Sequence, residues 1–362
     1  MAFFSTLSLE NFRNIRQTGL EFDPYCNFLI GNNGSGKTNL LEALFFLALG
    51  KSQRNASVKD FVLQESEYFL AEVRIDSEGK PALRRTQGNR NGHLFQQDGH
   101  TFRSASDFIG DLPIISFAPE DILLCSGPPA ERRRFLNMLL SQADINYFLS
   151  LKEYHRTLLQ RNAYLKTERP DSHYLSVLTE TLVRQGALLR TRRKEMLPTL
   201  QTCAQTHLSA MVADEQITLD ISGPATDSED EARIALETEF RRNERQEQLL
   251  CVTLAGPHRD DMLVRLNGLS VRDFASRGQT RSLALSLKLA AADVLSNRKG
   301  KNVVMLLDDI FSELDDARAE RLLERIYGRG QIFAAAPRNL TSPNRRSTAR
   351  FRVSNGTVTR EA

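Results

Sequence analysis

Between Phe3 and Phe12 apolar and polar side chains partly alternate, and Gly19-Leu20-Glu21-Phe22 resumes the pattern, which predicts an antiparallel strand pair. Cys26-Asn27-Phe28-Leu29-Ile30 reads as a short buried strand. After a glycine-rich interval, Asn39 to Leu47 is an apolar, helix-compatible run. Tyr68 to Ile75 predicts a further strand. Residues 77–105, rich in Gly, Asn, Gln and Arg, predict exposed hairpins with strands at Ala82–Arg85 and His93–Gln96, ahead of a more apolar strand at Leu112–Phe117.

The character changes at Ser126-Gly127-Pro128-Pro129. From Ala130 to about Met211 the pattern is helical, with breaks expected at Arg169-Pro170-Asp171 and at Pro198. Leu149, Leu151, Tyr154, Leu158, Leu159 and Leu165 form one apolar stripe; Leu175, Leu178, Leu182, Leu188 and Leu189 form a second. Two helices about a Pro-Asp turn make either an antiparallel arm or ordinary helices of one compact domain. Residues 224–249 are charged and helical. Strand character returns at Val252-Thr253-Leu254 and Met262–Leu266, a helix is expected over Thr280–Leu295, and Asn302–Leu307 is a buried strand. Residues 350–358 predict a hairpin turning at Asn355-Gly356.

Composition narrows the class only a little. The 362 residues, 41% apolar and 26% charged, are ordinary for a globular chain. The net charge of +3 means that any nucleic-acid contact must come from local clusters such as Arg132-Arg133-Arg134 or Arg345-Arg346. The arginines at 132–134 are equally readable as a solvated helix face. The four cysteines are dispersed without a Cys-x-x-Cys pair, which argues against a zinc site and for a reduced, cytoplasmic protein. No secretory apolar core and no span of membrane length is expected.

The chemistry starts at Gly31-Asn32-Asn33-Gly34-Ser35-Gly36-Lys37-Thr38, which fits the phosphate-binding pattern G-x-x-x-x-G-K-[ST] between a predicted strand and a predicted helix. Such a loop cradles phosphates with backbone N–H groups. Its lysine reaches the β- and γ-phosphates and its hydroxyl residue coordinates Mg²⁺. The expected ATP-binding set is therefore Asn32, Asn33, Gly34, Ser35, Gly36, Lys37, Thr38 and Asn39. Far downstream, Val303–Leu307 runs into Asp308-Asp309. A carboxylate at such a strand end holds Mg²⁺ with Thr38, the role expected of Asp308, and the next orients or deprotonates the attacking water, the role expected of Asp309. Ser276-Arg277-Gly278-Gln279 stands just ahead of the Thr280 helix, either as an anion site or as a simple cap.

Gly-Lys-Thr loop, Ser-x-Gly-Gln, Asp-Asp and then Ser312-Glu313-Leu314-Asp315 is an order that resembles the ABC-type ATPases. The resemblance implies a head-to-tail homodimer in which ATP lies between one subunit's phosphate loop and Ser276, Gly278 and Gln279 of the other. The helical insertion points to the SMC-like branch. Within it Leu9–Asn14, Gly50–Arg54, Pro119-Glu120-Asp121, Glu131–Leu136, Gly256–Asp261, Arg277–Gln279 and Leu307–Asp315 resemble the RecF family over nearly the whole chain.

That resemblance implies an α/β fold: an ABC-type ATPase head, a mixed sheet flanked by helices plus an antiparallel edge sheet, carrying an inserted helical arm. The implied divisions are a head N-terminal half at 1–125, the arm at 126–249 and a head C-terminal half at 250–362. The implied activity is slow, DNA-stimulated ATP hydrolysis that switches dimerisation. The implied partners are single- and double-stranded DNA at gaps, RecR and RecO, and indirectly RecA, in DNA repair, recombination, replication restart and the SOS response.

Two other classes compete. A permease-driving ATPase would lack the helical insertion, and a chromosome-organising head-and-arm protein would carry an arm of hundreds of residues. One departure from the family stands at Ala334-Ala335-Ala336, where hydroxyl residues are usual. His258 and Arg259 are readable as structural partners of Asp260 and Asp261, and Lys51 and Arg54 as contacts for phosphate of nucleotide or of DNA.

Overall fold

A computed structural model describes residues 2–54, 56–77, 80–102, 109–167, 171–212, 214–224, 226–313, 316–336 and 348–361, with backbone alone at 312, 313 and 316–319. Leu314, Asp315, Arg169, Pro170, Pro337 and Arg345-Arg346 lie outside the described residues. The hairpin β1 (Ala2–Phe12) and β2 (Ile15–Glu21) is followed by β3 (Cys26–Ile30), α1 (Lys37–Leu49), β4 (Tyr68–Ser77), β5 (Lys80–Asn89), β6 (Gly92–Gln97) and β7 (His100–Phe102). After β8 (Ile114–Phe117) come α2 (Leu123–Ser126), α3 (Pro129–Ala143), α4 (Ile145–Tyr164), α5 (Ser172–Ser209), β9 (Ile217–Ile221) and α6 (Glu229–Leu250). Then follow β10 (Met262–Leu266), β11 (Leu269–Ser270), α7 (Val271–Phe274), α8 (Arg277–Lys299), β12 (Val304–Asp308), α9 (Asp316–Ile326), β13 (Ile332–Ala336), β14 (Ala349–Ser354) and β15 (Thr357–Arg360).

The chain forms two compact units. The first, Met1–Glu120 with Leu295–Ala362, contains an antiparallel sheet in the order β2-β1-β4-β5-β6-β7 and a mixed sheet in the order β15-β14-β3-β13-β12-β8. In the mixed sheet β8, β12, β13, β3 and β14 are parallel neighbours, and only β15 runs antiparallel to its partner. The α/β head with a mixed sheet and an antiparallel edge sheet is thus the architecture found.

Helix α1 lies between the two sheets, touching β1, β4 and β5 on one and β8, β12 and β13 on the other. Its apolar residues Leu40 to Leu49 are all buried, because a helix that is hydrophobic on every side must be enclosed. Gln331 stitches the sheets together: its amide accepts from the Phe4 N–H and donates to the Phe4 and Asp23 carbonyls.

The second unit, Asp121–Val294, packs α4 on α5 and α5 on α6, and carries the antiparallel sheet β11-β10-β9. It takes in residues 126–249 together with β10, β11, α7 and α8 as far as Val294. Two sequence expectations need correcting here. Pro198 does not break α5, since it removes only its own N–H while the helix continues through buried Leu197, Leu200 and Ala204. The helical stretch instead divides at Asp144, extended at φ −139°, whose carboxylate caps α4 through the Asn146 N–H. Val252–Leu254 is not a strand, because Asn162 and Glu247 take the Thr253 and Leu254 N–H groups.

Candidate functional site

The phosphate loop joins β3 to α1, and its glycines are required by shape. A side chain on Gly31 would collide with the Val353 carbonyl oxygen of β14. Gly36, at φ 117°, caps α1 in a backbone conformation that other residues rarely adopt, and a side chain there would press on Asn14. Having no side chain, Gly36 offers no capping bond, so the first N–H groups of α1 and the positive end of its dipole face the loop. Ser35 is buried, and its hydroxyl has no hydrogen-bond partner among the described residues.

Lys37 curls back over the loop, its Nζ donating to the Gly31 carbonyl at 2.6 Å and the Asn32 carbonyl at 2.9 Å. Burial lowers its pKa, opposed by the nearby charges of Asp309 and Asp308. The Thr38 hydroxyl donates to Asp308 Oδ1 at 2.8 Å, joining the phosphate loop to the end of β12. Burial raises the Asp308 pKa; the Thr38 bond and Arg54 oppose that, while Asp309 and Glu120 add to it. Arg54 Nη2 stands 3.9 Å from Asp308 Oδ2. Asp309 follows at φ 54°, a strained setting that turns the backbone away as β12 ends.

These groups line one cleft of about 310 Å³, formed by Asn33, Gly34, Gly36, Lys37, Thr38, Asn39, Arg54, Asp308 and Asp309. Asn32 contributes its carbonyl to Lys37, and Ser35 is buried behind the lining. A buried unpartnered hydroxyl, a helix N-terminus, a lysine and an arginine make a set of donors suited to a polyphosphate. A threonine hydroxyl bonded to a carboxylate supplies the hard oxygen ligands that Mg²⁺ takes. Both groups therefore fit the residues present.

Bracing residues without an expected role hold this cleft. Asn14, in the β1–β2 turn, donates to the Ser35 carbonyl at 3.3 Å and accepts from Asn39 at 2.8 Å. The Asn355-Gly356 turn, with both residues at positive φ, sends the Gly356 N–H to the same carbonyl at 3.0 Å. Glu42, fully buried in α1, accepts from Arg13 at 3.0 and 3.1 Å and from Ser52 at 2.6 Å. Ser52 in turn accepts the Arg54 and Ala56 N–H groups at 3.0 Å each, which fixes the segment that brings Arg54 to Asp308. A lone carboxylate inside the apolar run Leu40–Leu49 was the signal for this chain, since a buried charge requires partners. Lys51 is exposed and does not line the cleft.

Ser276, Gly278 and Gln279 belong to the other compact unit and are not among the lining residues. They open α8 as a reciprocal cap: Ser276 Oγ accepts the Gln279 N–H at 3.2 Å and Gln279 Oε1 accepts the Ser276 N–H at 2.9 Å. Gly278 is exposed, and a side chain there would meet only the Ser276 hydroxyl, at 4.0 Å. Ala334, Ala335 and Ala336 are fully buried in β13, with Ala335 beside Asp308 and the Ala336 carbonyl accepting the Gly31 N–H at 3.4 Å. Their methyl groups pack but supply no hydroxyl to the strand end.

The RecF/RecN/SMC N terminal domain family matches residues 3–359. The DNA replication and repair protein RecF of Listeria welshimeri is 36% identical over 363 residues, covering 98% of this chain and 98% of its own length. The chain belongs to the RecF family. A second RecF relative, from Bacillus pumilus, is 35% identical and covers 98% of this chain and 99% of its own. A solved structure of the recombination mediator protein RecF with ATPrS in the RecFOR pathway has a TM-score of 0.92 at 28% identity, covering 100% of this chain and 98% of that one. The Smc head domain of Pyrococcus furiosus with an extended coiled coil, at TM-score 0.58 and 14% identity, shares the fold. Among the described residues no helix is long and apolar enough to cross a membrane.

Proposed function

We propose that this RecF-family chain is a cytoplasmic, ATP-switched DNA-binding protein, in which ATP closes two copies on gapped DNA. The carrying observation is that Lys37, Thr38, Asp308 and Asp309 share one cleft. The cleft supplies the phosphate grip and both carboxylates, while the exposed start of α8 is left for a second copy.

In this reading Lys37 exchanges the Gly31 and Asn32 carbonyls for the β- and γ-phosphates, and the backbone of Asn32 to Asn39 wraps them. Thr38 and Asp308 are the Mg²⁺ ligands. When bound, Mg²⁺ offsets the charge on the β- and γ-phosphate oxygens. Asp309 orients the attacking water and accepts its proton. Arg54 adds a positive charge at the same phosphates. Ser276, Gly278 and Gln279 of the partner copy close the site from the other side. With alanines at 334–336, no hydroxyl from β13 assists, which supports slow, DNA-stimulated hydrolysis.

The ATP-bound RecF structure of the RecFOR pathway supports ATP as the nucleotide and RecR and RecO as partners; in this reading those partners help RecA loading at single-stranded gaps. Light scattering tests the switch. Wild type should double in mass with ATP and Mg²⁺; Lys37→Met should lose both ATP binding and the mass change, while Ser276→Arg should bind ATP and stay monomeric. An identical wild-type mass with and without ATP would sink the sandwich.

A further inference from the structure

The loop Gly256-Pro257-His258-Arg259-Asp260-Asp261 is held by two largely buried ion pairs and by two arginine bonds to its carbonyls. Arg190 grips Asp260 through two bonds of 2.8 and 2.9 Å and also pairs with Glu239. Arg132 grips Asp261 at 2.7 and 2.8 Å. Arg193 donates to the Pro257 carbonyl at 2.7 Å, and Arg133 donates to the Asp260 carbonyl at 2.9 Å. A side chain on Gly256, at φ 121°, would collide with the Tyr154 hydroxyl, so the turn admits only glycine there.

Neither His258 nor Arg259 pairs with Asp260 or Asp261, contrary to the simple structural expectation. His258 Nδ1 is 2.6 Å from the Tyr154 hydroxyl and its Nε2 is 3.2 Å from the Thr253 carbonyl. Burial is the main cause that lowers its pKa to about 4, and Arg259, Arg133 and His155 add to it, so the ring is neutral at physiological pH. Arg259 is exposed, and among the described residues its guanidinium makes no ion pair or hydrogen bond. Its charged neighbours include Arg133, whose own pKa is lowered by burial and by the charges of Arg193 and Arg259, with Asp261 and Asp260 opposing. A heavily braced loop therefore holds one cation outward beside another.

We infer that Arg259, with Arg133 beside it, is a preformed contact for the phosphodiester backbone of a nucleic acid. The contact is preorganised. The conformational cost of fixing this loop is met within the fold by Asp260 and Asp261, whose charges are already taken up by Arg190 and Arg132. What remains outward is a planar donor fork suited to phosphate oxygens. Arg133 donates to the carbonyl of Asp260, the residue after Arg259, so an anion placed against Arg259 adds a negative charge beside both guanidinium groups. The contact fixes position and carries no base sequence information.

The inference rests on the reading of the chain as a DNA-binding protein. Its test is fluorescence anisotropy of a labelled gapped duplex with the full chain and ATP, between about 50 and 200 mM salt. Arg259→Ala should weaken binding several-fold and reduce the slope of log affinity against log salt by about one. Arg259→Lys should keep most of that slope, and Arg245→Ala, removing an exposed arginine of α6, should leave it unchanged. ATP affinity should match wild type in all three. Arg259→Ala with wild-type affinity and slope, or losses equal to those of Arg245→Ala, overturns the assignment. A wild type that binds no DNA overturns the DNA-binding reading itself, and the assignment with it.

Discussion

At the residue scale, Asp308 shows what the site costs the fold. Its carboxylate is buried beside Thr38 and within reach of Arg54, and burial outweighs both in raising its pKa. A carboxylate whose folded pKa is raised binds its proton more tightly in the native state than in the unfolded chain. Its stabilising contribution is therefore complete at low pH and is lost as pH rises through the folded pKa. Without nucleotide, Asp308→Asn should melt higher than wild type at neutral pH, with the gap narrowing as pH falls into the carboxylate range. The same variant should bind Mg²⁺-ATP more weakly, a trade of stability against function. Differential scanning calorimetry across pH checks this, and a lower melting temperature at neutral pH would contradict it.

The gathering of these residues in one cleft was legible in the sequence. Gly31, Gly36, Lys37, Thr38 and Asp308-Asp309 stand at spacings that backbone geometry and strand direction constrain. Asn14 was not legible as a brace, because a polar residue in a turn between alternating strands gives no indication of which loop it will touch.

At the element scale, α1 is the helix on which the cleft is built, and Glu42 is its internal anchor. Glu42→Ala should cost about 3 kcal/mol, since it removes the carboxylate that pairs with Arg13 and accepts from Ser52, leaving Arg13 only its bond to the Asp60 carbonyl. Ser52→Ala should cost about 1–3 kcal/mol by leaving the Arg54 and Ala56 N–H groups without their acceptor. Neither residue lines the cleft, yet both should weaken ATP binding by loosening the segment that carries Arg54. Chemical denaturation with parallel nucleotide titration measures both effects; wild-type affinity in Ser52→Ala would remove the bracing role.

Long periodic or apolar runs were readable at this scale: α1, β1, β4, β12 and α6 are where the pattern put them. The failures have physical causes. Pro198 is tolerated because α5 is held by packing along 38 residues and not by one bond. Val252–Leu254 has strand-forming residues, but side chains of Asn162 and Glu247 claim its N–H groups. Asp144 divides the helices by capping, a role its position in a polar stretch did not distinguish from a helical surface.

At the scale of the whole molecule, the cleft residues and Ser276–Gln279 fall in different compact units. Relatives at 34–36% identity match 98–99% of this chain, so the family likeness spans both units. The central claim is that ATP in the Lys37 cleft sets DNA affinity. The most direct measurement is gapped-DNA binding at two salt concentrations with no nucleotide, ADP or ATP, for wild type and Lys37→Met. Wild type should bind tightly only with ATP, Lys37→Met should stay at the nucleotide-free level throughout, and both should weaken with salt. Equal binding by wild type in all three nucleotide conditions, or by Lys37→Met and wild type in ATP, would contradict the account.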